Sequence, residues 1–242
     1  MTTQPYRLPE GGLIDRSKTL GFQFDSRTLS GYAGDTLASA LLASGVRLVG
    51  RSFKYHRPRG IYSSGSEEPN ALVELRQGAR RDPNTRATVI ELFEGLTACS
   101  QNRWPNLRFD IRAVNGLFSA LLPAGFYYKT FMWPASFWEK LYEPQIRRAA
   151  GLGRASTTDD PDTYEASWHH CDVLVIGAGP SGIAAALAAA RCGARVMLTD
   201  EQSRVGGSLL DERTEVAGDS GVRWVDSSIE ELTRCEEVTL LL

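Results

Sequence analysis

Leu20, Phe22 and Phe24 alternate with Gly21 and Gln23, the period of a strand with one buried face. Asp25-Ser26-Arg27 supplies turn chemistry, and Leu29 and Tyr32 return as a second strand. The period then changes to helical. Gly34-Asp35-Thr36 opens a helix with Asp35 or Thr36 as its N-cap, Leu37, Leu41, Leu42 and Val46 fall on one stripe, and Gly45 fits the C-terminal end. A hairpin followed by a crossing helix predicts the start of a β-grasp, the ferredoxin-type architecture.

Farther on, Arg51–Gly60 is a basic, aromatic loop in which Pro58 and Gly60 oppose regular structure. Ala71–Leu75 reads as a strand and Thr88–Leu96 as another apolar element. Residues 97–150 are rich in aromatics (Trp104, Phe126-Tyr127-Tyr128, Phe131, Trp133, Phe137, Trp138, Tyr142), with helix expected at about 134–149. Thr157–Asp162 has the composition of an exposed linker. No internal repeat is present.

The chain has 242 residues, of which 42% are hydrophobic and 23% charged, enough apolar content for a packed core. The net charge of −2 hides a split. Residues 1–150 carry 20 Lys+Arg against 13 Asp+Glu (+7), and residues 151–242 carry 7 against 16 (−9). Two domains or a basic partner surface would produce that split. The overall balance gives no surplus for tracking a phosphate backbone, so nucleic acid is not an expected partner. No run reaches the ~18 apolar residues of a membrane helix, and the N-terminus lacks an apolar signal core, so no membrane association is expected and the cytoplasm is the expected compartment. Cys99, Cys171, Cys192 and Cys235 show no metal-ligand spacing and read as reduced thiols.

The motif with chemistry in it starts after Cys171. Val173-Leu174-Val175-Ile176 is a short apolar run of the kind a buried parallel strand shows. Gly177-Ala178-Gly179-Pro180-Ser181-Gly182 matches G-x-G-x-x-G between that strand and an alanine-rich helix running from Pro180 to about Cys192. Gly193 ends the helix, Arg195–Thr199 is a second strand, and Asp200 closes it 23 residues after Gly177, where an acidic ribose ligand belongs. Gly177 permits the tight turn, Gly179 lets backbone approach a pyrophosphate, and Gly182 lets helix and strand pack closely. The N–H groups of Ser181 and Gly182, with the helix dipole, attract phosphates. Asp200 and Glu201 together would repel a 2′-phosphate by ~1–4 kcal/mol per close contact, favouring FAD or NAD over NADP. Gly206-Gly207, just after the acidic residue, is similar to the flavoproteins with two dinucleotide-binding domains. Downstream, Val222–Val225 reads as a strand, Ser227 or Ser228 as the cap of a helix with Glu231 in a capping box, and Val238–Leu242 as another strand. A parallel sheet with only these strands would have an unfinished core, so a fragment of a longer polypeptide is expected.

Over residues 7–242 the chain resembles the N-terminal part of the alpha subunits of heterotetrameric sarcosine oxidases. The resemblance rests on Gly34–Leu42, Gly50–Gly60, Glu67–Val73, Ser100–Pro105 and Ala124–Pro134. It implies membership of a complex with beta, gamma and delta subunits that oxidises sarcosine to glycine, formaldehyde or methylene-tetrahydrofolate, and hydrogen peroxide. It implies NAD in this part of the alpha subunit, tetrahydrofolate in a C-terminal part absent here, FAD in the beta subunit and FMN at the alpha–beta interface. The implied NAD site is Gly177, Ala178, Gly179, Pro180, Ser181, Gly182, Asp200, Glu201, Gln202, Gly206, Gly207 and Ser208, with no catalytic residue and no metal ligand in this chain. The cysteine-free loop at residues 51–70 matches a branch that has lost its iron–sulfur cluster and kept the fold, since a cluster needs four thiolates.

The expected layout is therefore a cluster-free β-grasp over residues 1–96, an aromatic helical connector over 97–165, and the start of a Rossmann-like FAD/NAD(P)-binding domain over 166–242. Two other readings stand beside it: an FAD-binding subunit of a related amino-acid or opine dehydrogenase or cyanide-forming complex, and a non-catalytic scaffold with a structural nucleotide. Arg51, Lys54, His56, Arg57 and Arg59 form either a recognition surface for a phosphate or an acidic subunit, or a solvated loop held by Tyr55 and Pro58. The aromatic stretch 126–138 is expected in the core or at a subunit interface, and His169-His170 at the surface.

Overall fold

The computed structural model describes residues 4–122, 124–125, 133–149 and 152–242; Phe126, Tyr127, Tyr128 and Phe131 lie outside the described residues. The chain divides into two compact units, Met1–Asp162 and Thr163–Leu242.

In the first unit, β1 (Asp15–Phe24) and β2 (Arg27–Ala33) form the expected hairpin. Asp25 and Ser26 both take positive φ, 47° and 64°, the turn whose twist matches that of the flanking strands. Phe22, Phe24 and Leu29 point into the core. Thr36 caps α1 (Leu37–Ala43) in a reciprocal box with Ser39, and Leu37, Ala40 and Leu41 are fully buried. Burial of each of those leucines contributes about 1.5–3 kcal/mol. The neighbouring Asp35 carboxylate is also buried, held by both ends of the Arg7 guanidinium and by the N–H of Tyr32.

The sheet has the order β2-β1-β7-β5-β6. Here β5 is Leu72–Leu75, β6 is Asp82–Arg86 and β7 is Leu96–Ser100, the last running parallel to β1. Three elements depart from the sequence reading. Residues 88–95 are turns and a single bridge instead of an element of their own, with Leu92 N–H donating to the Asp35 carbonyl. The polar β6 pairs at the sheet edge, where no hydrophobic alternation is needed. The basic loop is not wholly irregular: β3 (Gly50–Arg51) pairs with β4 (Pro58–Arg59). Proline is tolerated there because Ser52 and Val49 donate to the carbonyls of Arg57 and Arg59, so the ladder needs no N–H from Pro58.

Helical backbone runs without a break over residues 135–149, passing from 3-10 through π geometry into α2 (Glu143–Ala149). Trp133 and Phe137 are exposed, so the core reading of the aromatic stretch does not hold for them.

The second unit is a three-stranded parallel sheet of order β12-β9-β8: β8 is Val173–Ile176, β9 Val196–Thr199 and β12 Val238–Leu241. Two helices, α3 (Pro180–Arg191) and α4 (Gly221–Arg234), supply Ile183, Ala186, Leu187, Val225 and Leu232 to its core. The sequence reading of Val222–Val225 as a strand, with a cap at Ser227 or Ser228, is overturned. Ser220 is the cap, and Gly221, Val225, Ser228 and Leu232 recur on one buried stripe, a period that only fourteen residues reveal. The short ladder of β10 (Glu215–Val216) and β11 (Asp219–Ser220) leads into this helix. Nor is β8 buried on both faces. Val173 and Val175 pack inward, while Leu174 and Ile176 are 52% and 80% exposed, because β8 is an edge strand with helices on one side only. Among the described residues no helix is long and apolar enough to cross a membrane.

The loop between β4 and β5 is organised by one buried carboxylate. Glu68 accepts from the N–H groups of Tyr62, Ser63, Asn70 and Ala71 at 2.7–3.0 Å. Burial pushes its pKa up, but these four donors outweigh that and hold it below the ordinary glutamate value. The stabilisation is therefore complete above the pKa of the unfolded chain and drains away as pH falls through the lower folded value. Glu68→Gln should cost about 2–4 kcal/mol in urea unfolding at neutral pH, with the deficit shrinking as the medium is acidified; a deficit that grows with acidification would exclude this assignment.

Candidate nucleotide-binding site

The second unit brings the predicted site residues to one end of its sheet. β8 ends at Ile176, and Gly177 turns with φ +100° while its N–H donates to the Thr199 carbonyl at the end of β9. Gly179 is the N-cap of α3 and Pro180 sits in its first turn. The first helical hydrogen bond is Ile183 N–H to the Gly179 carbonyl, so the N–H groups of Ser181 and Gly182 precede the ladder and point out of the helix end. Negative charge is favoured there.

The crowding at Gly182 is decisive. A Cβ at this position would stand 1.8 Å from the Gly177 carbonyl oxygen, with Val175 beyond it. Gly179 is the opposite case: a Cβ built there meets nothing within 4 Å. The space in front of Gly179 is a cradle that a side chain would occupy, beside unpaired helix-end N–H groups. This combination fits a pyrophosphate.

Asp200 does more than the motif implies. Its Oδ2 accepts the Ala178 N–H at 2.5 Å, and its Oδ1 accepts the Gln202 N–H at 2.9 Å. The carboxylate thereby ties the turn after β8 to the turn after β9. Each carboxylate oxygen keeps a further lone-pair direction, so a ribose hydroxyl can still be received. Glu201 is exposed beside it and Gln202 is half-buried.

The later glycine pair closes the arrangement. Gly206 N–H donates to the Ala178 carbonyl at 2.8 Å, and a Cβ on Gly207 would approach the Gly179 α-carbon to 3.0 Å. Ser208 follows, exposed, in the 3-10 turn Gly207–Leu210. Three separated stretches, 177–182, 200–202 and 206–208, thus share one site. What the motif spacing could not reveal is the wall behind it: Leu210, from the 3-10 turn, and Val225, from α4, stand against Gly206. At the far end of the sheet, Asp172 and Arg195 staple the starts of β8 and β9, and hydrogen bonds from Arg195 lower the Asp172 carboxyl to about 2.

In the first unit the five basic residues of the loop separate by role. Arg51 is turned inward, donating to the carbonyls of His56, Leu107 and Arg108. His56 is fully buried with Nδ1 2.6 Å from Asp110 Oδ2. Lys54 and Arg57 both lie over the Tyr55 ring at 4.9 Å, and Arg59 is exposed. His169 and His170 are exposed, the former paired with Ser167.

Residues 17–103 match the family described as 2Fe-2S iron-sulfur cluster binding domain, and residues 172–231 match FAD dependent oxidoreductase. Only Cys99 falls within the first of these stretches. It lies in β7, and burial pushes its thiol pKa up. A four-thiolate cluster therefore does not fit residues 17–103.

The chain is 62% identical over 237 residues to sarcosine oxidase subunit alpha of Rhizobium meliloti (strain 1021), covering 98% of this chain and 24% of that one. It is 35% identical over 232 residues to the subunit of the same name from Corynebacterium sp. (strain U-96), covering 96% and 19%. L-proline dehydrogenase from P. horikoshii superposes with a TM-score of 0.52 at 18% identity, over 100% of this chain and 35% of that one, a likeness of fold.

Gly182→Ala should destabilise the second unit by about 3–5 kcal/mol, since neither the Gly177 carbonyl nor the helix start can move away. Thermal unfolding measures this, and a loss under 1 kcal/mol would mean the elbow is looser than described. The chain spans about a fifth to a quarter of the curated relatives it matches, and along nearly its whole length it resembles the sarcosine oxidase alpha subunits.

Proposed function

We propose that this chain is the NAD-binding portion of the alpha subunit of a sarcosine oxidase complex, with beta, gamma and delta subunits as its partners and the sarcosine-oxidising site in the beta subunit. In this reading the substrate is sarcosine, released as glycine with formaldehyde or methylene-tetrahydrofolate and hydrogen peroxide. FAD and FMN serve elsewhere in the complex, and tetrahydrofolate belongs to a later part of the subunit. The fold reading that accompanies it is a cluster-free β-grasp followed by a Rossmann-like nucleotide-binding unit, in a cytoplasmic protein.

The single observation that carries the nucleotide is the open face of Gly179 beside the start of α3, with Gly182 pressed against Gly177 behind it. The helix-end N–H groups of Ser181 and Gly182 would hold the pyrophosphate. Asp200, braced by Ala178 and Gln202, would receive the adenosine ribose. A bound NAD brings a nicotinamide able to accept hydride. The residues of this chain bind and orient the nucleotide; none is placed as an acid, base or nucleophile. FAD in the same elbow is the second reading, favoured by the match of residues 172–231 to an FAD-dependent family.

Denaturing the purified full-length alpha subunit, freed of its partner subunits, and identifying the released nucleotide decides between the two: NAD is expected, and FAD would replace it. Gly179→Ala should leave stability within about 0.5 kcal/mol, since the new methyl group meets no atom. It should weaken nucleotide retention at least tenfold, because that methyl group fills the cradle. Retention unchanged in Gly179→Ala would remove the pyrophosphate from this position.

A further inference from the structure

Beyond β7 lies a segment whose polarity runs opposite to that of an ordinary surface helix. Ile111–Leu121 is a 3-10 helix, capped by Asp110 and kinked at Phe118. At three residues per turn, Ile111, Val114 and Leu117 fall on one ridge. That ridge is open to solvent: Leu117 is 82% exposed, and Ile111 and Val114 are each 47% exposed. The polar groups are turned to the unit instead. Asp110 is buried against His56, and the half-buried Asn115 donates its side-chain N–H to the Lys54 carbonyl at 3.4 Å. Trp104, Phe109 and Phe118 enlarge the exposed apolar set. A helix that serves only its own unit turns its apolar stripe inward. Six large apolar side chains exposed between residues 104 and 118 mark an interaction surface.

The surface is held rigid from below. Arg51 donates to the carbonyls of Leu107 and Arg108, His56 holds Asp110, and the Tyr55 hydroxyl donates to the Leu122 carbonyl at 2.7 Å. Little ordering is therefore left to be done on binding. Charge says what covers it. Arg108 and Arg112 flank Phe109 and Ile111 in the chain, and Arg57 lies over Tyr55. All three arginines are exposed and none forms an ion pair with a described residue. The one carboxylate in residues 51–59 and 104–122 is Asp110, and it is buried. Unopposed cations beside an apolar ridge are complementary to an acidic face with an apolar centre. Arginine and aromatic side chains are what protein interfaces concentrate, and the short kinked helix offers no long apolar face to a bilayer. We infer that this ridge is a docking surface for an acidic, apolar-centred face of a partner subunit. The inference rests on the reading of the chain as one subunit of a complex and adds where, and against what chemistry, it docks.

Hydroxyl-radical footprinting of the full-length alpha subunit, alone and in the assembled complex, tests this. Trp104, Phe109 and Phe118 should lose at least tenfold in labelling on assembly. Reconstitution from separated subunits gives a second readout. Leu117→Asp, and Arg108→Glu combined with Arg112→Glu, should each raise the Kd for the partner subunits at least tenfold. Unfolding temperature and nucleotide retention should stay at wild-type values, because these side chains are exposed. The wild-type Kd should rise with salt, and the charge-reversed pair should lose most of that dependence. Equal labelling in the free and assembled subunit, or assembly unchanged in both variants, would overturn the surface while leaving the subunit reading intact. A wild-type subunit that assembles with no partner would overturn both. Labelling already low in the isolated subunit would assign the ridge to a later part of the same chain. Protection gained only on phosphatidylserine vesicles, or only by self-association, would assign it to a bilayer or to a second copy. Each of these three would equally overturn the inference.

Discussion

At the turn into α3 the Gly177 carbonyl oxygen and the Gly182 α-carbon occupy a space that admits no side chain. Everything about the candidate site follows from that closeness. The helix can begin immediately beyond the strand because residue 182 is bare, and starting there aims its first N–H groups at the ends of the parallel strands. The Asp200 carboxylate then finds the Ala178 N–H within reach, and the Ala178 carbonyl finds the N–H of Gly206. One steric fact at a single position thus aligns three stretches of chain separated by up to 31 residues. A helix end with unpaired N–H groups results, without a single basic side chain in the motif.

Much of this was legible because its signals are local. The alternation of Leu20, Phe22 and Phe24, the turn residues Asp25 and Ser26, the cap at Thr36 and the strand–glycine–helix–strand–Asp200 order all act over a few residues, where period and turn chemistry dominate. The failures share one cause. Val222 and Trp224 alternate over four residues and suggest a strand, but the buried stripe from Gly221 to Leu232 belongs to a longer period and to contact with Leu209 and the sheet. The β6 strand has no apolar face to announce it, because an edge strand is held by its ladder. The exposure of Leu174 and Ile176 depends on how many layers surround the sheet, which no four-residue run encodes.

Side-chain partnerships across long stretches were the least legible part of the site and of the first unit. Arg51 and His56 sit in a run of basic residues, which read as either a recognition surface or a solvated loop. Their partners, the carbonyls of Leu107 and Arg108 and the carboxylate of Asp110, lie more than fifty residues away. Charge density along the sequence therefore overstated the charge presented to solvent: part of the basic run is consumed in tying the loop to the segment beyond β7.

That tie explains how a fold related to cluster-binding domains holds together without thiolates. In a cluster-bearing loop, an inorganic anion gathers backbone N–H groups that would otherwise lack acceptors. Here Glu68 does the gathering for residues 62–71, with four backbone donors on two oxygens. Arg51 works from the opposite sense, collecting backbone carbonyls into a cation. The loop is thus fixed by one buried anion and one inward-facing cation, both covalently part of the chain. The loop's sensitivity therefore lies in the protonation of a single carboxylate.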